Sequence, residues 1–169
     1  DGTHFKFLYH GSVVPVFLPG VLGGPHVHAA LAAASVAVSQ SINLVTVSEG
    51  LRVYKAPPGR MSILRGIKHT LIVDDTYNGS HSSCAAAIAA GVQLQVSSGR
   101  ESFAVIGDLM HIGSNGDDEH EKDIARDIVE GGFDYLVTVG RGTADINVAA
   151  REAGMAESNA FHFDNPEEA

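Results

Sequence analysis

The chain has 169 residues, 44% hydrophobic and only 7% aromatic, with a formal net charge of −9. That length holds one ordinary domain or one domain with part of another, and an acidic surface without a local basic cluster argues against a nucleic-acid partner. One cysteine, Cys84, excludes an internal disulfide and fits a reducing compartment; with no apolar run of membrane-span length and no signal peptide, a cytoplasmic location and no membrane partner are expected.

In chain order, Phe5–Tyr9 and Val13–Leu18 read as two short strands joined by a turn at His10-Gly11-Ser12. Pro19-Gly20 and Gly23-Gly24-Pro25 mark a loop. The Ala-rich stretch His26–Gln40 reads as a buried helix, and Thr46–Leu51 as a second, shorter one. Ala56-Pro57-Pro58-Gly59 is the clearest linker, because two prolines continue neither a helix nor a central strand. A domain boundary is therefore expected near residues 52–58, dividing 1–52 from 53–169.

After the linker, strand and helix alternate. Thr70–Asp75, Phe103–Asp108, Tyr135–Gly140 and Ala160–Phe163 are apolar runs, and Ser82–Gln95, Glu119–Glu130 and Thr143–Ala153 between them read as helices. Such alternation predicts βαβ units. The fold class expected is α/β: a Rossmann-like parallel sheet with helices on both faces, preceded by a strand–helix piece. Ligands of open parallel sheets bind beyond the carboxyl ends of the strands. Those ends carry Asp74, Asp75 and Tyr77, then Gly107 and Asp108, then Gly140 and Arg141, then Asp164.

The chain opens on Asp1 and closes on Asn165-Pro166-Glu167-Glu168-Ala169, where Asn, Pro and two Glu supply the capping and first-turn chemistry of a helix start. The expectation is a cut chain, with a frayed acidic tail as the alternative.

No phosphate-gripping Gly-Lys-Ser/Thr loop is present. Gly140-Arg141-Gly142 reads as a tight turn leading into a helix. Nine histidines invite a metal reading. However, His26 and His28 point in different directions on a helix, and His111 and His120 sit in or beside a loop with Asp117 and Asp118. No His-x-x-x-His is present, so no metal ligands are assigned.

The strongest signal is Ile72-Val73-Asp74-Asp75-Thr76-Tyr77-Asn78, shortly after Gly59-Arg60-Met61 and followed by Ala104-Val105-Ile106-Gly107-Asp108-Leu109. With Met110-His111-Ile112-Gly113, His120 and Val139-Gly140 behind them, these motifs resemble the C-terminal domain of the Mur ligases, in particular the dipeptide-adding branch. Residues 5–51 resemble the end of the same family's central ATPase domain. The resemblance implies an ATP- and Mg2+-dependent amide ligase of cell-wall precursor synthesis. It would phosphorylate the terminal carboxylate of a UDP-MurNAc-peptide and pass the acyl phosphate to the amine of D-Ala-D-Ala.

By the same resemblance Arg60 reaches the ATP phosphates, Asp75 the ribose hydroxyls, and His26 stands at a base-holding position. Tyr77, Asn78 and Asp74 line the substrate cleft. No catalytic residue is assigned, and the Mg2+ ligands are expected mostly outside this chain.

The departures are specific. The family's Gly-x-His-Asn-Val-x-Asn reads Gly23-Gly24-Pro25-His26-Val27-His28-Ala29 here, its Ala-Asn-Pro after Tyr-Asn reads Gly79-Ser80-His81, and its Glu before Leu-Gly is His111. The alternatives are another amide ligase of the same fold, polyglutamate- or cyanophycin-type, and a non-catalytic nucleotide- or protein-binding module.

Overall fold

A computed structural model describes residues 2–98, 100–109 and 118–169, the side chains at 95–98 and 118 excepted. The chain forms two compact units, Asp1–Tyr77 and Asn78–Ala169. Charge is divided unevenly between them. The first carries six Lys and Arg against four Asp and Glu, a net +2; the second carries five against sixteen, a net −11.

In the first unit, β1 (Gly2–Tyr9) and β2 (Ser12–Pro19) pair antiparallel, with Tyr9 opposite Ser12. The two residues between them, His10 and Gly11, both have positive φ (45° and 79°). That handedness matches the twist of a two-residue hairpin. Phe7, Val16 and Leu18 turn to one face and are buried, while Leu8 and Val13 are exposed, as period-two alternation requires.

Helix α1 (Gly24–Ser39) has Pro25 in its first turn and buries His26, Ala30 and Ala34 at a four-residue spacing, the two alanines in one core with that face. Its other side is open, with Leu31 and Val36 exposed. The helix read as buried therefore buries one stripe. Helix α2 (Leu44–Leu51) starts at Asn43, whose side chain accepts the Thr46 amide at 3.0 Å.

The hairpin β3 (Ser62–Arg65) and β4 (Leu71–Asp74) completes the unit. The run at 70–75 was expected to open the parallel sheet. Instead it pairs antiparallel with β3, a strand that the sequence reading missed. The cause is local: Lys68 and His69 adopt left-handed φ (51° and 64°), and the Gly66 amide donates to the Thr70 carbonyl at 2.8 Å, which turns the chain back. The hairpin is tied to the end of β2 by Ile63 N–H to Gly20 O (2.9 Å) and Leu22 N–H to Met61 O (3.1 Å). These bonds explain why the linker at 56–59 lies inside the first unit.

The second unit has the expected α/β class, a parallel sheet flanked by helices. Strands β5 (Phe103–Ile106), β6 (Tyr135–Val139) and β7 (Ala160–Phe163) form a parallel sheet in that order. Helix α3 (His81–Ser98) precedes it, α4 (Asp118–Glu130) links β5 to β6, and α5 (Ala144–Glu152) links β6 to β7. Ala104, Leu136 and Ala160 stand in register on the sheet. They join Cys84 and Ile88 of α3, Ile124 and Ile128 of α4, and Ile146 and Ala150 of α5 in one core. The alternate residues Phe103, Val105 and Phe161 are exposed, and the Phe103 and Tyr135 rings stack at 4.5 Å.

The closing Asn165–Glu168 segment forms a turn, with the Glu168 amide donating to Asn165 O at 3.3 Å. No described helix is long and apolar enough to cross a membrane.

Candidate functional site

The residues singled out by the Gly-Arg and Asp-Asp-x-Tyr motifs meet in the first unit. Gly59 has φ 70° and its carbonyl accepts the Tyr77 amide at 3.0 Å. A Cβ on Gly59 would lie 2.7 Å from that amide nitrogen, so the close approach needs glycine. Arg60 follows, and its guanidinium carbon lies 4.2 Å from the centroid of the Tyr77 ring, within cation–π distance. Among the described residues no carboxylate stands within ion-pair distance of Arg60. Its face is covered by an aromatic ring and its donors are not consumed by a salt bridge.

Asp74 and Asp75 hold the turn from β4. Asp74 Oδ2 accepts the Gly59 amide at 3.2 Å, while Oδ1 accepts the Thr76 hydroxyl at 2.7 Å and the Thr76 amide at 3.2 Å. The Thr76 hydroxyl lowers the Asp74 pKa most, the two amides add to this, and desolvation partly opposes it. Asp75 Oδ1 accepts the Met61 amide at 3.1 Å. Burial pushes the Asp75 pKa up, against the lowering effects of that amide and of Arg60. The two adjacent carboxylates are thus driven in opposite directions. Asp74 also lines an open cleft of about 690 Å³ with Arg52, Tyr54, Lys55, Pro58 and Leu64.

His26 lies at the start of α1 and is 7% exposed. Its Nδ1 meets the Tyr54 hydroxyl at 3.0 Å and its Nε2 meets the Arg60 carbonyl at 2.9 Å. Both ring nitrogens are therefore engaged within the protein. His28, two residues on, is exposed. Asn78 opens the second unit, and its carbonyl accepts the Ser83 hydroxyl at 3.5 Å.

Sequence reasoning missed one polar lock in the second unit. Asp108, after β5, accepts the Gly142 amide at 3.0 Å, and Gly140, after β6, has φ 103°. Gly140-Arg141-Gly142 is the tight turn into α5 that was expected, closed by Thr143 Oγ1 donating to Gly140 O at 2.7 Å. The available signal was the pair of Gly-bearing strand ends in adjacent βαβ units.

Met110 through Asp117, with His111 among them, lie outside the described residues. The ring of His120 is 4.5 Å from that of His81. Among the described residues no three His, Cys, Asp or Glu side chains converge as metal ligands.

No family model matches the chain. A UDP-N-acetylmuramoyl-tripeptide--D-alanyl-D-alanine ligase from Buchnera aphidicola subsp. Baizongia pistaciae (strain Bp) is 30% identical over 168 residues, 99% of this chain and 34% of that protein. A crystal structure of MurF from Acinetobacter baumannii matches with a TM-score of 0.73 and 26% identity, over 98% of this chain and 34% of that one. MurF ligase from Thermotoga maritima in complex with ADP shares the fold, with a TM-score of 0.73 and 22% identity, over 99% of this chain and 35% of that one. The chain spans about a third of the length of the relatives that it matches, and the matched third is their C-terminal part. In sequence and in fold the chain is similar to the C-terminal third of the Mur ligases.

Proposed function

We propose that this chain is the C-terminal part of an ATP-dependent amide ligase that adds D-alanyl-D-alanine to a UDP-N-acetylmuramoyl-tripeptide, a step in peptidoglycan precursor synthesis in the cytoplasm. Residues 1–52 would close the central ATP-binding domain, and 53–169 would form the C-terminal domain. One observation carries the reading: the Gly59–Met61 turn and the Asp74–Tyr77 segment form one constellation that presents a guanidinium without an ion-pair partner among the described residues. It does so in a chain 30% identical, over 99% of its length, to a ligase of that name.

The chemistry asked of this constellation is charge stabilisation and positioning. Phosphorylation of a carboxylate by ATP, and attack of an amine on the acyl phosphate, develop negative charge on phosphate oxygens. A planar guanidinium held on an aromatic face offers several fixed donors to such oxygens. The net +2 of the first unit favours an anionic ligand in the same sense.

In this reading Arg60 contacts the phosphates and Asp75 accepts from the ribose hydroxyls through the oxygen not bonded to Met61. Tyr77 supports Arg60, and with Asn78 it borders the substrate side. Asp74 holds the turn, its two oxygens being taken by Gly59 and Thr76. Mg2+ supplies further charge neutralisation at the phosphates when bound. In this reading most of its ligands come from the remainder of the ligase. This chain alone is inactive as a ligase, and its partners are small molecules.

The test is phosphate release by the complete product of the gene carrying this chain, with ATP, the UDP-linked tripeptide and D-Ala-D-Ala. The expected result is turnover that needs all three and falls by about 10²–10³-fold in Arg60→Ala, as for loss of one preorganised charge-stabilising donor. Turnover indifferent to D-Ala-D-Ala sinks the dipeptide assignment, and ATP binding without any turnover favours a binding module.

A further inference from the structure

Each residue of the Gly59–Met61 turn has one backbone group held by a side chain from another part of the unit. Asp74 accepts the Gly59 amide, Asp75 accepts the Met61 amide, and the carbonyl of Arg60 between them faces His26 Nε2 at 2.9 Å. The turn needs such holding, because Gly59 and Met61 both have left-handed φ (70° and 49°), and Met61 carries a side chain there. A carbonyl only accepts, so Nε2 bears a ring proton; in the Nε2–H tautomer Nδ1 is the acceptor and the Tyr54 hydroxyl donates to it. Both ring nitrogens are then used, and the buried ring has no donor or acceptor left for a nucleotide base.

We propose that His26 and Tyr54 are positioning residues for Arg60. They fix the peptide that carries the guanidinium, so that it lies on Tyr77 with its N–H edge free for an anion. The proposal rests on the reading of Arg60 as a phosphate contact, and it gives His26 the task of a tether instead of a base contact. Fixing the peptide at the root of a long side chain reduces the ordering that ligand binding must supply.

The test uses the full chain, isotope-labelled, as wild type and as His26→Leu, His26→Gln, Tyr54→Phe and Arg60→Ala. Leucine fills the space without a donor, whereas the glutamine amide nitrogen can stand where Nε2 stands. The readouts are the ring nitrogen spectrum of His26, the Arg60 Nε–H shift induced by the Tyr77 ring, hydrogen exchange at the Gly59 and Met61 amides, and ATP affinity. In the wild type the Nε2–H tautomer is expected. In His26→Leu the Arg60 signal loses its ring shift, the two amides exchange about tenfold faster, and ATP affinity falls by up to about tenfold, as for one lost hydrogen bond. His26→Gln stays near the wild type.

An unmoved Arg60 signal in His26→Leu, a glutamine variant no better than leucine, or an Nδ1–H tautomer overturns the proposal. So does an ATP affinity that falls in both His26 variants while the Arg60 signal stays, since His26 then touches the nucleotide itself. If His26→Leu fails to fold, Tyr54→Phe, which removes one oxygen, decides the matter through the same Arg60 signal. If ATP binding is absent or indifferent to Arg60→Ala, the phosphate reading fails, while the Arg60 shift and amide exchange still decide the tether.

Discussion

The carboxylate of Asp108, just past β5, accepts the amide of Gly142 at 3.0 Å and packs against Gly140, just past β6, where any Cβ would collide with it. Two neighbouring parallel strands are thereby locked together at their carboxyl ends by one side chain and one missing side chain. Gly140 has φ 103°, so alanine there meets both a steric and a conformational penalty. Gly140→Ala should destabilise the second unit by about 1–3 kcal/mol. In Gly140→Ala with Asp108→Ala the collision disappears, and the loss should be smaller than the sum of the single losses. Urea unfolding of the chain and its three variants measures this; simple additivity would show that the two residues act independently.

Asp74 and Asp75 should titrate on opposite sides of an ordinary aspartate. The Asp74 pKa is lowered, chiefly by the Thr76 hydroxyl. Its contribution to stability is present above the unfolded-state value and is lost as pH falls through the folded one. The Asp75 pKa is raised, chiefly by burial. Its contribution is present below the unfolded-state value and is lost as pH rises through the folded one. Carboxyl carbon titration by NMR should place the Asp74 midpoint below that of an ordinary aspartate and the Asp75 midpoint above it. Coincident midpoints would remove the distinction.

Leu136 is fully buried at the centre of the three-stranded sheet, in register with Ala104 and Ala160. Two small neighbours leave little that can move in to fill the space, so Leu136→Ala should cost about 2–5 kcal/mol. Val105→Ala, on the exposed face of the adjacent strand, should cost far less. Thermal unfolding of both variants compares the two faces directly, and equal losses would contradict the one-sided core.

Tyr77 supports Arg60 through its ring face and not through its hydroxyl. Tyr77→Phe should therefore leave ATP affinity within about twofold, while Tyr77→Ala should lower it by about two- to fivefold, corresponding to a cation–π contact at an exposed site. Calorimetric titration with ATP distinguishes this support from a direct role of the phenol, which would make the phenylalanine variant as weak as the alanine one.

Much of the second unit was legible in the residues. Tyr135–Val139 and Ala160–Phe163 are short apolar runs bounded by polar loops, and Glu119–Glu130 places Ile124, Ala125 and Ile128 on one helical stripe. Local periodicity reports burial when each element has one partner face. Ser62–Arg65 was not legible as a strand, because four residues ending in arginine carry no alternation of their own. It becomes a strand only because the left-handed Lys68 and His69 return Leu71–Asp74 beside it.

The sequence by itself determined the α/β class, the order of its elements and the motif on which the family resemblance rests. Each of these is carried by residue types at short spacings along the chain. Only the tertiary structure decided what those residues do to one another. Asp74 spends its oxygens on backbone amides, His26 faces a carbonyl instead of solvent, and Asp108 reaches the end of the next strand. These are contacts between positions up to 34 residues apart. Hydrogen-bond partners at that distance are chosen by where the backbone returns, which no local pattern encodes.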